Sequence, residues 1–158
     1  MILSIEIVMY YDRVLPAFAR YCINETIERL PDGWTFKLIT GKINSPMVIN
    51  GIKEQSAYFR VKYLSEHPES MWLDWDCYPL INLSTIDFSG GHPFCQPLSM
   101  FCAASALFPN GNTEIMRRLA DTFRPEQFCI CGEIIKSKLF DCFPYGAFRH
   151  LTKSEKGK

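Results

Sequence analysis

Asp74 and Asp76 are the residues whose types and spacing most directly suggest chemistry. They stand one residue apart in the otherwise apolar run Met71-Trp72-Leu73-Asp74-Trp75-Asp76-Cys77-Tyr78-Pro79-Leu80. In an extended segment, residues two apart project to one face, so both carboxylates would point the same way. Two ionised carboxylates roughly 5 Å apart at an effective dielectric near 20 repel by about 3 kcal/mol. A proton shared between them would relieve this. So would a hard divalent cation, which prefers oxygen ligands and often combines one or two carboxylates with substrate phosphates. The third arrangement carries no chemistry: each acid is hydrogen-bonded to nearby backbone or exposed at a strand end.

The elements that must position these acids follow from the hydrophobic periodicity. Ile2 to Met9 predicts a buried strand. Val14 to Leu30 predicts a helix with Val14, Phe18, Tyr21, Cys22 and Ile27 on one stripe, stopped by Pro31-Asp32-Gly33. Trp34 to Ile39 alternates as a second strand that closes at Gly41, and Lys53 to Ser65 predicts a helix ending near His67-Pro68. Met71 to Trp75 is then the third strand. Strand, helix, strand, helix, strand predicts an α/β fold with a mostly parallel central sheet flanked by helices. Its carboxyl edge is where open α/β sheets build ligand crevices, and it is where Asp74 and Asp76 fall.

Beyond Leu80 the pattern loosens. Gly90-Gly91-His92-Pro93 marks a loop, and Met100 to Phe108 is a small-residue apolar run suited to a strand. Asn112 is placed to cap a helix through Ile115, Met116, Leu119 and Phe123. Gly132 to Phe140 predicts a further short helix, with Phe143-Pro144-Tyr145 as a late strand or loop. Residues 1–150 form one domain in this scheme, and 151–158 a charged tail expected to fray.

Composition narrows the function classes. The 158 residues carry seventeen basic and seventeen acidic side chains, a formal charge of +0, which is not the footprint of a nucleic-acid binder. A 47% hydrophobic content argues against disorder, while no apolar run is long enough to span a bilayer. The apolar start is short and has no basic leader. The seven cysteines are an odd set without a repeated CxxC pair, and Cys129-Ile130-Cys131 is their closest spacing. They are best taken as reduced core residues, which sets a cytoplasmic location as the expectation.

The segment Ser56-Ala57-Tyr58-Phe59-Arg60-Val61-Lys62-Tyr63-Leu64 followed by Met71-Trp72-Leu73-Asp74-Trp75-Asp76 resembles the part of GT-A glycosyltransferases where an arginine-bearing helix leads into a strand ending in D-x-D. It is similar to two branches, the initiating mannosyltransferases with the glucosylating toxins, and glycogenin with the bacterial galactosyltransferases. Phe108-Pro109-Asn110-Gly111-Asn112, Gly132-Glu133 and Phe143-Pro144 before Phe148 follow in an order that looks like the first branch. The resemblance implies a metal-dependent transfer of sugar from a nucleoside-diphosphate donor, of UDP or GDP type, to a glycan or other acceptor hydroxyl. By analogy it extends to surface-polysaccharide synthesis. It implies that Asp76 binds Mn²⁺ or Mg²⁺, and that Asp74 contacts the donor ribose or sugar and reaches the metal through water. Arg60 would contact the donor sugar or diphosphate, and Tyr10 or Tyr11 would stack on the base. His150 is the histidine placed to be a further metal ligand. His67 and His92 fall in predicted turns and are assigned nothing.

The chain departs from the toxin-like branch at Ala57, where an aspartate is usual, and at Glu69-Ser70, where glycines are. No late H-x-x-G-x-K-P-W motif follows Phe148. Two other classes remain open on these residues. One is a haloacid-dehalogenase-like phosphatase with Asp74 as nucleophile. The other is a binding module that kept the fold and lost the chemistry.

Overall fold

The structure is a computed structural model that describes residues 4–41, 51–97, 104–124 and 139–157. In chain order it comprises β1 (Glu6–Tyr11), α1 (Ala17–Glu28), β2 (Thr35–Thr40), α2 (Ile52–Glu66), β3 (Ser70–Leu73) and β4 (Cys77–Pro79). A 3₁₀ turn (Leu83–Thr85), β5 (Phe94–Pro97), β6 (Ala104–Phe108), α3 (Thr113–Asp121), β7 (Asp141–Cys142), β8 (Phe148–His150) and α4 (Lys153–Lys156) follow. The six strands of the main sheet are ordered β2-β1-β3-β6-β5-β7. β1 pairs in parallel with β2 and β3, and β7 in parallel with β5, whereas β6 runs against both of its neighbours. The fold is therefore mixed α/β with a mostly parallel central sheet, as the alternation of elements predicts.

Both faces of the sheet are covered, which explains why its central strands are continuously apolar. Val8 and Tyr10 of β1, Trp72 of β3 and Leu107 of β6 join Val61 and Leu64 of α2 and Met116 of α3 in one core. Their alternating neighbours Ile7, Met9, Met71, Leu73, Ala106 and Phe108 point to the other face, where Trp34, Leu83, Phe88 and Phe94 meet them. Each of these strands thus serves two cores by its period of two.

Several elements differ from expectation. Helix α1 starts only after Pro16, and its buried line is Ala19, Cys22 and Thr26. Val14 is 90% exposed, and Tyr21 and Ile27 are also on the surface. The predicted stripe was therefore rotated, because Val14 lies outside the helix and cannot set its phase. Strand β3 stops at Leu73, short of Trp75. β5 pairs with β6 although its own four residues gave no signal. Within the tail expected to fray, Lys153–Lys156 form α4, a single turn closed by a capping box between Thr152 and Glu155. The predicted helix from Gly132 falls mostly outside the described residues, as do Cys129-Ile130-Cys131, Glu133 and the start of the Met100 run.

Candidate active site

The D-x-D segment leaves the sheet through a turn. The Asp74 N–H donates to the Ser105 carbonyl at 2.9 Å, which ties the end of β3 to β6, and the Cys77 N–H donates back to the Asp74 carbonyl at 3.1 Å. The two acids thus flank a reversal instead of continuing one extended strand, and they reach different partners. From Cys77 the chain enters β4, which pairs antiparallel with β8 so that Cys77 lies opposite His150. The Leu151 N–H then donates to the Asp76 carbonyl at 2.9 Å. This two-stranded ribbon fixes the late histidine beside the second acid.

His150 Nε2 lies 3.1 Å from Asp76 Oδ2, and the Lys156 ammonium donates to the same oxygen at 2.6 Å. Lys156 comes from α4, whose orientation is set by the capping box and by an ion pair of Arg149 with Glu155 at 2.6 Å. Burial alone would raise the Asp76 carboxyl, but the contacts from His150 and Lys156 outweigh it and hold it at about 2. Asp76 is thus a stable carboxylate at neutral pH.

Asp74 has the opposite character. Its Oδ1 accepts from the Trp72 indole N–H at 3.3 Å and lies 3.6 Å from Arg60 Nη1. Burial pushes its carboxyl up to about 7; Arg60 opposes that rise, the Asp76 charge adds to it, and the Trp72 bond opposes it again. Arg60 is only 2% exposed. Taken alone in the sequence it looks like a surface helix residue, but α2 turns it inward so that it supports Asp74 from behind. The two acids, nearly indistinguishable in sequence, therefore differ in proton affinity because their surroundings differ.

The two tyrosines of β1 separate just as clearly. Tyr10 is wholly buried; its hydroxyl donates to the Gly41 carbonyl at 2.8 Å and its ring packs on Phe59 and Trp72. Tyr11 lies at the carboxyl edge, partly exposed, with its ring 5.4 Å from that of Trp75 in an edge-to-face contact. Of the pair, only Tyr11 presents a ring to the mouth of the site. His67 caps α2 and stacks on Tyr63 at 3.8 Å, and His92 sits exposed in its loop, so neither approaches the acids. Sequence reasoning missed Lys156. The signal available for it was the capping-box pattern Thr152-Lys153-Ser154-Glu155, which argues that this charged tail folds.

Among the described residues, Asp76, Cys77 and His150 bring one ligand atom each within 4.8 Å of one another. The Cys77 thiol is pushed well above its ordinary range, by burial first and then by the Asp74 and Asp76 charges. With no ion bound it is a thiol, and the three side chains together offer a carboxylate, an imidazole and a sulfur.

No protein-family model matches this chain, and no curated protein matches it in sequence. Solved structures do match. A glycosyltransferase involved in the glycosylation of the major capsid of PBCV-1 superposes with a TM-score of 0.60 at 13% identity, covering 98% of this chain and 95% of that one. The glycosyltransferase GlyE of Streptococcus pneumoniae TIGR4 superposes with a TM-score of 0.54 at 13% identity, covering 89% of this chain. This chain has the fold of a glycosyltransferase. It spans 45% of the length of GlyE. Among the described residues, no helix is long and apolar enough to cross a membrane.

Proposed function

We propose that this chain is a metal-dependent glycosyltransferase that moves a sugar from a nucleoside-diphosphate sugar to an acceptor hydroxyl. The observation that carries the proposal is the meeting of Asp76 and His150, 3.1 Å apart, at the carboxyl edge of a sheet shared with glycosyltransferases. A strand-end acid and a histidine distant in sequence are brought to one point by the β4–β8 ribbon. That is what a ligand site at this edge of an α/β sheet requires.

The donor set fits a divalent cation. Asp76 is held ionised, His150 adds a ring nitrogen and Cys77 a buried sulfur close by. Asp76 and His150 would hold Mn²⁺ or Mg²⁺, with Asp74 facing the donor ribose or sugar and reaching the ion through water. When bound, such an ion neutralises charge that develops on a departing nucleoside diphosphate. Arg60, buried behind Asp74, acts by fixing that carboxyl in place, so the donor meets Asp74 first. Tyr11 takes the nucleotide base, with Trp75 bracing its ring. The acceptor is a glycan or other hydroxyl compound, and surface-polysaccharide synthesis is the setting that the family resemblance suggests. The phosphatase alternative would make Asp74 the nucleophile, yet this is the acid whose ionisation the site opposes.

The test is a thermal-shift panel of UDP, GDP and CMP with and without Mn²⁺, on the wild type and on Asp76→Ala. A nucleotide at about a hundred times its dissociation constant adds roughly 2.7 kcal/mol, a midpoint rise of about 5 °C or more for a domain of this size. A Mn²⁺-dependent rise with one nucleotide that vanishes in Asp76→Ala is the expected result. No rise with any nucleotide would overturn the proposal.

A further inference from the structure

We propose that Lys156 is a built-in competitor for the cation site: its ammonium holds the Asp76 oxygen that a divalent ion needs, so an ion binds only by displacing this side chain. The inference rests on the metal site proposed above and adds a property that the site residues alone do not imply.

The geometry is specific to one atom. Asp76 Oδ2 accepts from Lys156 Nζ at 2.6 Å and faces His150 Nε2 at 3.1 Å. An ion held by this oxygen and this nitrogen would stand about 2.1 Å from each. It would share Asp76 Oδ2 with the ammonium, and two positive charges on one largely buried oxygen repel. The Asp76 side chain is only 10% exposed and that of Lys156 30%, so water only weakly screens the repulsion between Lys156 and an ion at Asp76.

The surrounding structure allows the exchange. α4 is one turn, and its cap is built from Thr152 and Glu155 without Lys156. Glu155 is anchored separately by Arg149. The Lys156 side chain can therefore leave Asp76 while the turn persists. In the closed arrangement Lys156 Nζ also stands 5.9 Å from the centroid of the Phe18 ring of α1, a cation–π contact made alongside the bond to Asp76. The contact thus holds Asp76 compensated and ordered until a stronger cation arrives.

A charge-assisted hydrogen bond favours the closed arrangement by about tenfold to a hundredfold, and apparent affinity for an ion that needs the open one falls by the same factor. The test is Mn²⁺ titration of the full chain by isothermal calorimetry, without nucleotide. Lys156→Gln is expected to bind Mn²⁺ at least about tenfold more tightly than wild type, Lys156→Met to behave alike while keeping the aliphatic stem, and Asp76→Asn/Lys156→Gln to lose the gain. Equal or weaker Mn²⁺ binding by both Lys156 variants, with wild-type binding still dependent on Asp76, overturns the competition and leaves the metal site standing. Absence of Mn²⁺ binding from wild type and Lys156 variants alike overturns both.

Discussion

Replacing Asp74 by Asn should remove a pH dependence of stability that the wild type carries between about pH 4 and pH 7. In the folded chain, burial pushes the Asp74 carboxyl up to about 7, against an ordinary value of 3.8. Between these values the unfolded chain has released a proton that the folded chain still holds, so stability falls as pH rises. A displacement of about three units at 1.36 kcal/mol each amounts to about 4 kcal/mol as an upper bound. The Asp74 side chain is 17% exposed, and water at that edge reduces the working figure to about 2 kcal/mol. Asp76 adds little to this window, because its folded value of about 2 and its ordinary 3.8 both lie below it. Urea unfolding at pH 5, 6, 7 and 8 measures the effect. The loss of stability from pH 5 to pH 8, which covers about two thirds of the window, should be about 1 kcal/mol larger in wild type than in Asp74→Asn. Superimposable pH profiles for the two proteins would refute the assignment of the raised carboxyl to Asp74.

Asp76 should act at the acid end with the opposite sign. Its depressed carboxyl contributes stability above pH 3.8 that is lost as pH falls toward about 2, so acid unfolding in that interval should be shallower in Asp76→Asn. Tyr10→Phe deletes the part-buried bond to the Gly41 carbonyl and should cost about 1 kcal/mol in a denaturant titration. It should leave nucleotide-induced thermal shifts unchanged, while Tyr11→Ala should diminish them. Thr152→Ala removes the cap of α4 and should cost about 1 kcal/mol of local stability, seen as faster amide exchange over residues 153–157.

The parts of the fold legible in the sequence are those where local pattern and tertiary demand agree. α2 was readable because Tyr58, Val61 and Leu64 recur three apart and His67-Pro68 ends it, although the helix is buried nearly all round, and β3 because a strand buried on both faces is largely apolar. The pairing of Asp76 with His150 followed from family resemblance, since nothing local in Phe148-Arg149-His150 says which strand it will meet. α1 was placed but rotated, since Val14 and Tyr21 are apolar by type yet exposed, and helical periodicity cannot separate a core stripe from surface residues of the same type. The divergence of Asp74 from Asp76 was not legible. It arises from Arg60 and Trp72 on one side and Lys156 and His150 on the other, and those contacts depend on a turn after Leu73 that the apolar run conceals. Lys156 lay hidden in a charged tail because a lysine's partner eighty residues away leaves no periodic trace.

The most direct test of the central claim is release of nucleoside diphosphate from a panel of UDP- and GDP-sugars by the wild type and by Asp76→Asn, each with Mn²⁺ and with a chelator. The account predicts that one donor is consumed by the wild type only when Mn²⁺ is present, and that Asp76→Asn consumes none. Turnover that persists in the chelator or survives in Asp76→Asn would contradict it, as would failure of every donor in the panel.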